Sequence, residues 1–222
     1  MFNRVLKVGA RRSPLALRQV DEIIGHLNEF YPKIRVEIIG IDTYGDRNKV
    51  TPISDIEGSD FFTRELEEEL LKGQVDFVVH SAKDLPDEMP DGLCIAAITK
   101  SIDSSDALIS KNNLKIDKLR YSAKVGASSQ RRKTQLRKYR DDFQLVDIRG
   151  NIEERIARLE VDKIDAIVVA SCALMRLGLE IKIAQRIPLS ILTPHPLQGA
   201  LAVEVSRDSE ELRNILEVLN DR

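Results

Sequence analysis

The chain has no tryptophan, only two cysteines, and an aromatic share of 5% in 222 residues. Cys94 and Cys172 sit in apolar contexts with no CxxC or Cys/His ligand spacing, so neither a disulfide framework nor a metal site is expected. With 34 Lys+Arg against 36 Asp+Glu, the net charge is only -2, and no global field favours nucleic acid or an acidic membrane. Eleven glycines and eight prolines are too few for a low-complexity or disordered chain. Apolar runs are no longer than a strand, which excludes a transmembrane helix. The first residues meet charge before any apolar stretch, so they do not form a signal peptide. GxGxxG, GxxxxGK[ST], HExxH and GxSxG are all missing, which argues against dinucleotide, ATP, zinc-protease and esterase chemistry. The expectation is a reduced, cytoplasmic chain that works as a monomer without nucleic-acid or membrane partners.

What is present is a 42% hydrophobic content arranged as alternating strands and helices. Strands are expected at residues 4–9, 35–41, 75–79, 93–98, 107–110, 123–126, 144–148, 166–170 and 200–205. Several are continuous apolar runs, such as Ile167-Val168-Val169-Ala170, as in strands buried on both faces of a mostly parallel sheet. Ser13-Pro14 supplies an N-cap and a proline at the first helical position, and Ala16, Val20, Ile23, Ile24 and Leu27 then form one apolar stripe. Asn151 followed by Glu154 reads as a capping box. Further helices are expected at 62–71, 128–139 and 209–219. Residues 42–60 are polar and aperiodic, as in a lid. The fold class is therefore α/β, with two similar small domains: residues 1–99 plus 200–222, and residues 100–199, with a cleft between them.

Polar residues collect after strands. Arg11 and Ser13 follow the first; His80-Ser81-Ala82-Lys83-Asp84 follows the third. Ser128-Ser129-Gln130-Arg131-Arg132, then Arg149-Gly150-Asn151 with Arg155, then Ser171 with Arg176, follow three more. Ligands of open parallel sheets bind outside the carboxyl ends of strands, and several guanidinium groups there call for a ligand with several anions. Charged residues after strands are also common simply because loops are wet. The run from Arg131 to Arg140 has Tyr139 as its only interleaved aromatic, so its distal half reads as a solvated helix face. Asp84 stands out as a carboxylate among cations, either as a salt-bridge partner of Lys83 or as a group that stabilises developing positive charge. His26, His80 and His195 stand isolated in the sequence. Arg131, Arg132, Arg149 and Arg155 are expected to converge on one ligand, so that replacing Arg132 or Arg149 by Leu weakens binding with little effect on stability.

Eight segments in order and register resemble the hydroxymethylbilane synthase, or porphobilinogen deaminase, family. They are Ala10-Arg11-Arg12-Ser13-Pro14-Leu15-Ala16-Leu17, Thr43-Tyr44-Gly45-Asp46, Phe62-Thr63-Arg64-Glu65-Leu66-Glu67, His80-Ser81-Ala82-Lys83-Asp84-Leu85-Pro86, Gly126-Ala127-Ser128-Ser129-Gln130-Arg131-Arg132, Ile148-Arg149-Gly150-Asn151 with Arg155, Leu174-Met175-Arg176-Leu177-Gly178, and Leu197-Gln198-Gly199-Ala200. The resemblance implies two domains like type II periplasmic binding proteins with an active site in the interdomain cleft. It implies head-to-tail joining of four porphobilinogens with loss of ammonia, the chain growing from a dipyrromethane cofactor. By the same resemblance Asp84 is the catalytic carboxylate that stabilises the azafulvenium cation. Ser81, Lys83, Ser129, Arg131, Arg132 and Arg155 would bind the cofactor, and Arg11, Ser13, Arg149, Arg176 and Gln198 the substrate. No metal is implied.

The chain also departs from the family pattern. The third domain, whose cysteine carries the dipyrromethane, is expected to be absent, as in the short chlamydial forms, so the cofactor would be held non-covalently. Cys172, at a strand end before Arg176, is the less favoured alternative attachment point. Asp55 and Ser59 stand where lysines are usual, Tyr44 where arginine is usual, and Ala127 where threonine is usual. A non-catalytic tetrapyrrole or oligocarboxylate binder on the same framework is the competing reading.

Overall fold

The computed structural model describes residues 4–48, 60–86 and 88–221. The chain divides into two compact units. Unit 1 takes the described residues of 1–47, 58–101 and 200–222, and unit 2 those of 48–57 and 102–199. Lid residues 49–59, including Asp55 and Ser59, lie outside the described residues.

In unit 1, strands β1 (Leu6–Arg11), β2 (Val36–Ile41), β3 (Phe77–Ser81), β4 (Leu93–Ile98) and β10 (Leu201–Ser206) form one sheet in the order β2-β1-β3-β10-β4. β1 runs parallel to β2 and β3, whereas β10 is antiparallel to β3 and β4. Helix α1 (Pro14–Phe30) covers one face, burying Val20, Ile23 and Leu27 against Leu6, Val8, Phe77 and Val203. Its start is set as its sequence suggests: Ser13 Oγ accepts from the Ala16 N–H at 3.3 Å, with Pro14 in the first turn. The short helix α2 (Tyr44–Arg47) precedes α3 (Arg64–Leu71), which packs Leu66 and Leu70 on the other face against Val75, Val78 and Leu93.

In unit 2, β5 (Asp106–Ser110), β6 (Lys124–Gly126), β7 (Gln144–Val146), β8 (Ala166–Ala170) and β9 (Gln185–Ile187) are ordered β7-β6-β8-β5-β9. β6, β7 and β8 are parallel, and β5 is antiparallel to β8. Helices α4 (Gln130–Tyr139), α5 (Ile152–Val161) and α6 (Ser171–Arg176) follow β6, β7 and β8, and α7 (Glu210–Leu216) closes the chain in unit 1. The two sheets thus share one plan: three parallel strands, one antiparallel strand, one outer strand. In each, the antiparallel strand is the segment that enters from the other unit, β5 after β4 and β10 after β9.

The strands differ in detail from the sequence expectation. β1 and β3 each start two residues later than expected, so Arg11, His80 and Ser81 are strand residues and not loop residues. A shift of two preserves which side chains share a face, so the apolar pattern alone does not fix it. β9 has no counterpart in the expected strands. Of its three residues only Ile187 is buried, too short a signal for periodicity.

Candidate active site

Unit 1 holds a pocket lined by Arg11, Ser13, Leu15, Ala16, Gln19, Phe62, Thr63, Val79, His80, Ser81 and Asp84. Three polar devices shape it. Gln19, on the first helix, donates its amide to Ser81 Oγ at 2.8 Å, tying α1 to the end of β3. Arg11 grips Asp46 through Nη2 at 2.5 Å and Nε at 3.1 Å, while its guanidinium stacks 4.5 Å from the Phe62 ring centre. Thr43 Oγ1 donates to the same Asp46 at 2.8 Å. Burial alone would raise the Asp46 carboxyl, but the Arg11 bonds and charge and the Thr43 bonds hold it below the usual carboxylate range. Gly45 is required there, because a Cβ would stand 2.3 Å from the Phe62 ring. Asp84 ends the 3-10 turn Ala82–Asp84 directly after β3 and is exposed to solvent. Asp84 is therefore not the sole acid among the cations, because Asp46 already occupies Arg11.

The unit 2 rim is built around an acid that the sequence did not single out. Asp106, the first residue of β5, is 0% exposed. Its Oδ1 accepts from Arg132 Nε at 3.1 Å, Arg132 Nη2 at 2.6 Å and Gln198 Nε2 at 2.9 Å, and its Oδ2 accepts from Arg131 Nη2 at 3.1 Å. Burial would push this carboxyl up, but the charge of Arg132, its hydrogen bonds, Gln198 and Arg131 hold it below the usual range. Gln198, expected at the substrate, is fully buried and also donates to the carbonyls of Ser104 and Ser105 at 2.7 and 3.1 Å. Its amide is spent inside the protein, stitching the segment before β10 to the start of β5. Arg132 is only 6% exposed, so the expectation that its loss leaves stability untouched does not hold. Removing one partner of a buried ion pair costs about 3–5 kcal/mol.

The remaining arginines of the rim are steered by backbone carbonyls. Arg131 also donates to the Thr193 carbonyl. Arg149 Nη2 donates to the Asn48 carbonyl at 2.8 Å, Arg155 Nε to Gly150 at 2.7 Å, and Arg176 Nη2 to Gly199 at 2.9 Å. Gly150 makes the turn possible with φ +103°, and the capping box of α5 forms as expected: Asn151 Oδ1 accepts from the Glu154 N–H at 2.8 Å, and Glu154 answers at 2.9 Å. Ser129 precedes α4 at its N-cap position. Lys133, the next basic residue of the run, is buried and bound to Asp147 at 2.5 Å, so that part of the run is an internal ion pair. Cys172 is buried in the first turn of α6, and Cys94 is half-buried in β4. His80 is not isolated, since its Nε2 lies 2.9 Å from Glu204 Oε2 in the core of unit 1. Among the described residues no group of three or more His, Cys, Asp or Glu is placed to hold a metal ion, and no helix is long and apolar enough to cross a membrane.

Sequence reading finds the cations and misses their partners. Asp46 and Asp106 carry no local signal beyond a carboxylate near a strand end. Gln19 does carry one: it is a polar residue one place before Val20 of the apolar stripe and, in the structure, buried beside it.

Comparison with known proteins agrees with this architecture. Residues 6–214 match the family model described as "Porphobilinogen deaminase, dipyromethane cofactor binding domain". A porphobilinogen deaminase of Natranaerobius thermophilus is 44% identical over 217 residues, covering 97% of this chain and 70% of the relative. One from Geotalea daltonii is 40% identical over 220 residues, covering 99% of this chain and 69% of the relative. Among solved structures, the methionine binding protein MetQ aligns with a TM-score of 0.57 at 12% identity, over 97% of this chain and 89% of its own. The Bordetella pertussis BvgS VFT2 domain (double mutant F375E/Q461E) aligns at 0.52 and 17%, over 97% and 86%. These structural likenesses establish a fold like that of type II periplasmic binding proteins, and the sequence matches establish the family: the chain belongs to the porphobilinogen deaminases.

Proposed function

We propose that this chain performs the family's reaction with Asp84 as its catalytic carboxylate and with the unit 2 arginines as its carboxylate-binding set. The reaction is that of a hydroxymethylbilane synthase: four porphobilinogens are joined head to tail, each losing ammonia, and one water adds to the terminal methylene carbon as the tetrapyrrole separates from its primer, giving the hydroxymethyl group. In each round the aminomethyl C–N bond breaks and ammonia leaves with the bonding pair. The carbon left behind is an electron-poor cation conjugated to the pyrrole nitrogen. A C–C bond then forms to the free α-carbon of a neighbouring pyrrole, and that carbon loses its proton, which balances the ammonia as ammonium.

The observation that carries the reading is Asp84 itself, an exposed carboxylate on a short turn that lines a pocket together with Arg11, Ser13, Gln19, Thr63, His80, Ser81 and apolar groups. A fixed anion beside the pyrrole N–H accepts its hydrogen bond and stabilises the charge that develops as ammonia departs. Lys83 and Ser81 flank it, and Arg11 with Ser13 would meet a substrate carboxylate. Arg11 spends Nε and Nη2 on Asp46, so it is the remaining N–H groups of its guanidinium that would meet the substrate.

The dipyrromethane cofactor fits the donor chemistry of unit 2. Asp106 lies between Arg131 and Arg132 as a built-in carboxylate, and it engages only part of the five N–H groups that each guanidinium carries. Ser129, Arg131, Arg132 and Arg155 would hold the acid side chains of the cofactor, and Arg149 and Arg176 those of the substrate. When bound, the cofactor supplies the pyrrole end from which the chain grows. The protein is read as a cytoplasmic monomer, and its balanced charge supports the reading that it takes no nucleic-acid partner.

The test is Asp84→Asn. The exposed position leaves the fold intact, while ammonia release from porphobilinogen falls by about 10²–10³. Activity within tenfold of the unmodified protein would refute the assignment.

A further inference from the structure

Under the unit 1 pocket, on the α3 side of the sheet, three titratable side chains are buried together and the mechanism above uses none of them. His80 on β3 is 5% exposed and Glu204 on β10 is 0% exposed; the 2.9 Å contact joins them. Glu67 on α3, 5% exposed, lies close enough to feel the charges of both. The register explains the meeting. His80 pairs with Ala202 and Glu204 with Val78, so the two side chains stand two places apart on one face of adjacent strands. β10 also changes register against β4 between Val203 and Glu204, an irregularity of the kind that re-aims side chains beside functional sites.

The surroundings are otherwise almost free of charge. β4 contributes no acidic or basic residue to the cluster. β1 contributes Lys7, which is exposed at the far end, and Arg11, which is committed to Asp46. From the turn before α3, Asp60 acts on Glu67. Glu67 Oε1 and Glu204 Oε1 are buried and take no hydrogen bond among the described residues. Apolar residues of similar volume are often as stable in such a place, so stability alone does not account for the cluster. His80 and Thr63, which precedes Arg64 at the start of α3, both line the pocket.

We infer that Glu204 is a positioning residue for the reaction: through His80 it fixes the end of β3 from which Ser81 and Asp84 project. The inference rests on the proposed role of Asp84. The two acids do not play the same part. Burial pushes the Glu67 carboxyl up and the Glu204 charge adds to this, against the Thr63 hydroxyl and His80. Glu67 Oε1 takes no hydrogen bond among the described residues, so an amide of the same shape there should change little. Glu204 Oε2 meets the imidazole Nε2 at 2.9 Å, and an amide there replaces a carboxylate oxygen with a weaker acceptor or with a donor.

The experiment compares Glu204→Gln, Glu67→Gln and Asp84→Asn in the full chain, by steady-state kinetics across pH and by amide hydrogen exchange. Glu204→Gln should lower kcat about tenfold with KM changed less than about twofold, and should displace the pH profile. It should also raise exchange at residues 81–85 about tenfold, a readout that needs no turnover. Glu67→Gln should keep kcat within about twofold. If Glu204→Gln does not fold, His80→Asn breaks the same hydrogen bond and takes the same readouts. An unchanged pH profile and exchange in these variants, or a Glu67→Gln as damaging as Glu204→Gln, overturns the inference. Full activity in Asp84→Asn would instead remove the Asp84 reading, while the exchange data would still report on Glu204.

Discussion

Replacing Asp106 by Asn tests whether the arginine rim of unit 2 is a ligand site superimposed on a structural ion cluster. The wild-type carboxylate is fully buried and accepts four hydrogen bonds from Arg131, Arg132 and Gln198. Asn preserves the volume, but it removes the charge and turns an N–H₂ towards guanidinium donors. Two cations are then left without their buried counter-charge, at a cost of about 3–5 kcal/mol. For a chain of this size, each kcal/mol moves Tm by about 2–4 °C, so the expected fall is about 6–20 °C. The second half of the prediction concerns ligands. A polycarboxylate such as porphobilinogen supplies the missing anion, so its stabilisation of the variant in a thermal melt should exceed that of the wild type. The acid side follows from linkage. Because the Asp106 carboxyl is lowered in the folded state, its contribution is present above the unfolded carboxylate value and is lost as pH falls through its folded value. The variant should therefore lose less stability on acidification than the wild type. A variant melting within about 2 °C of wild type would refute this, since the pair would then contribute under about 1 kcal/mol.

Two further outcomes are expected. Gly150→Ala places a Cβ 2.4 Å from Glu154 Oε2 at a backbone φ of +103°, so it should cost about 1–3 kcal/mol in urea unfolding and loosen Arg155, which donates to the Gly150 carbonyl. A loss below about 0.5 kcal/mol would show that the turn relaxes freely. Cofactor attachment is read by denaturing mass spectrometry after expression in a porphobilinogen-producing host. With Cys172 buried in the first turn of α6 and Cys94 half-buried in β4, the expected mass is that of the unmodified chain, and a two-pyrrole adduct abolished by Cys172→Ser would overturn non-covalent binding.

The legibility of the molecule in its sequence follows the range of the forces involved. Apolar periodicity and caps are local, so α1, α5 and most strands are readable: Ser13 and Asn151 cap the helices they announce. Strand ends are weaker, because moving β1 or β3 by two residues leaves every side chain on its original face. That small shift matters at Arg11 and Ser81, which turn from loop residues into strand ends with fixed directions. Cations at the rim are readable because several strands deliver them in one pattern. Their counter-charges are not, because Asp106 meets Arg132 across 26 residues and Gln198 across 92, and no local pattern encodes such a meeting. The same holds for His80, whose partner Glu204 lies 124 residues away on a strand that completes the sheet from the other end of the chain. The alternation within β10, Leu-Ala-Val-Glu-Val, turns Glu204 to the sheet face opposite its buried neighbours Val203 and Val205. A carboxylate inside a run that apolar, with no lysine or arginine within reach on its own strand, must find its proton or its partner on a neighbouring element. An acid at a strand's apolar centre thus marks a buried polar contact by its position alone, while the identity of the other half depends on which strand the sheet order sets beside it.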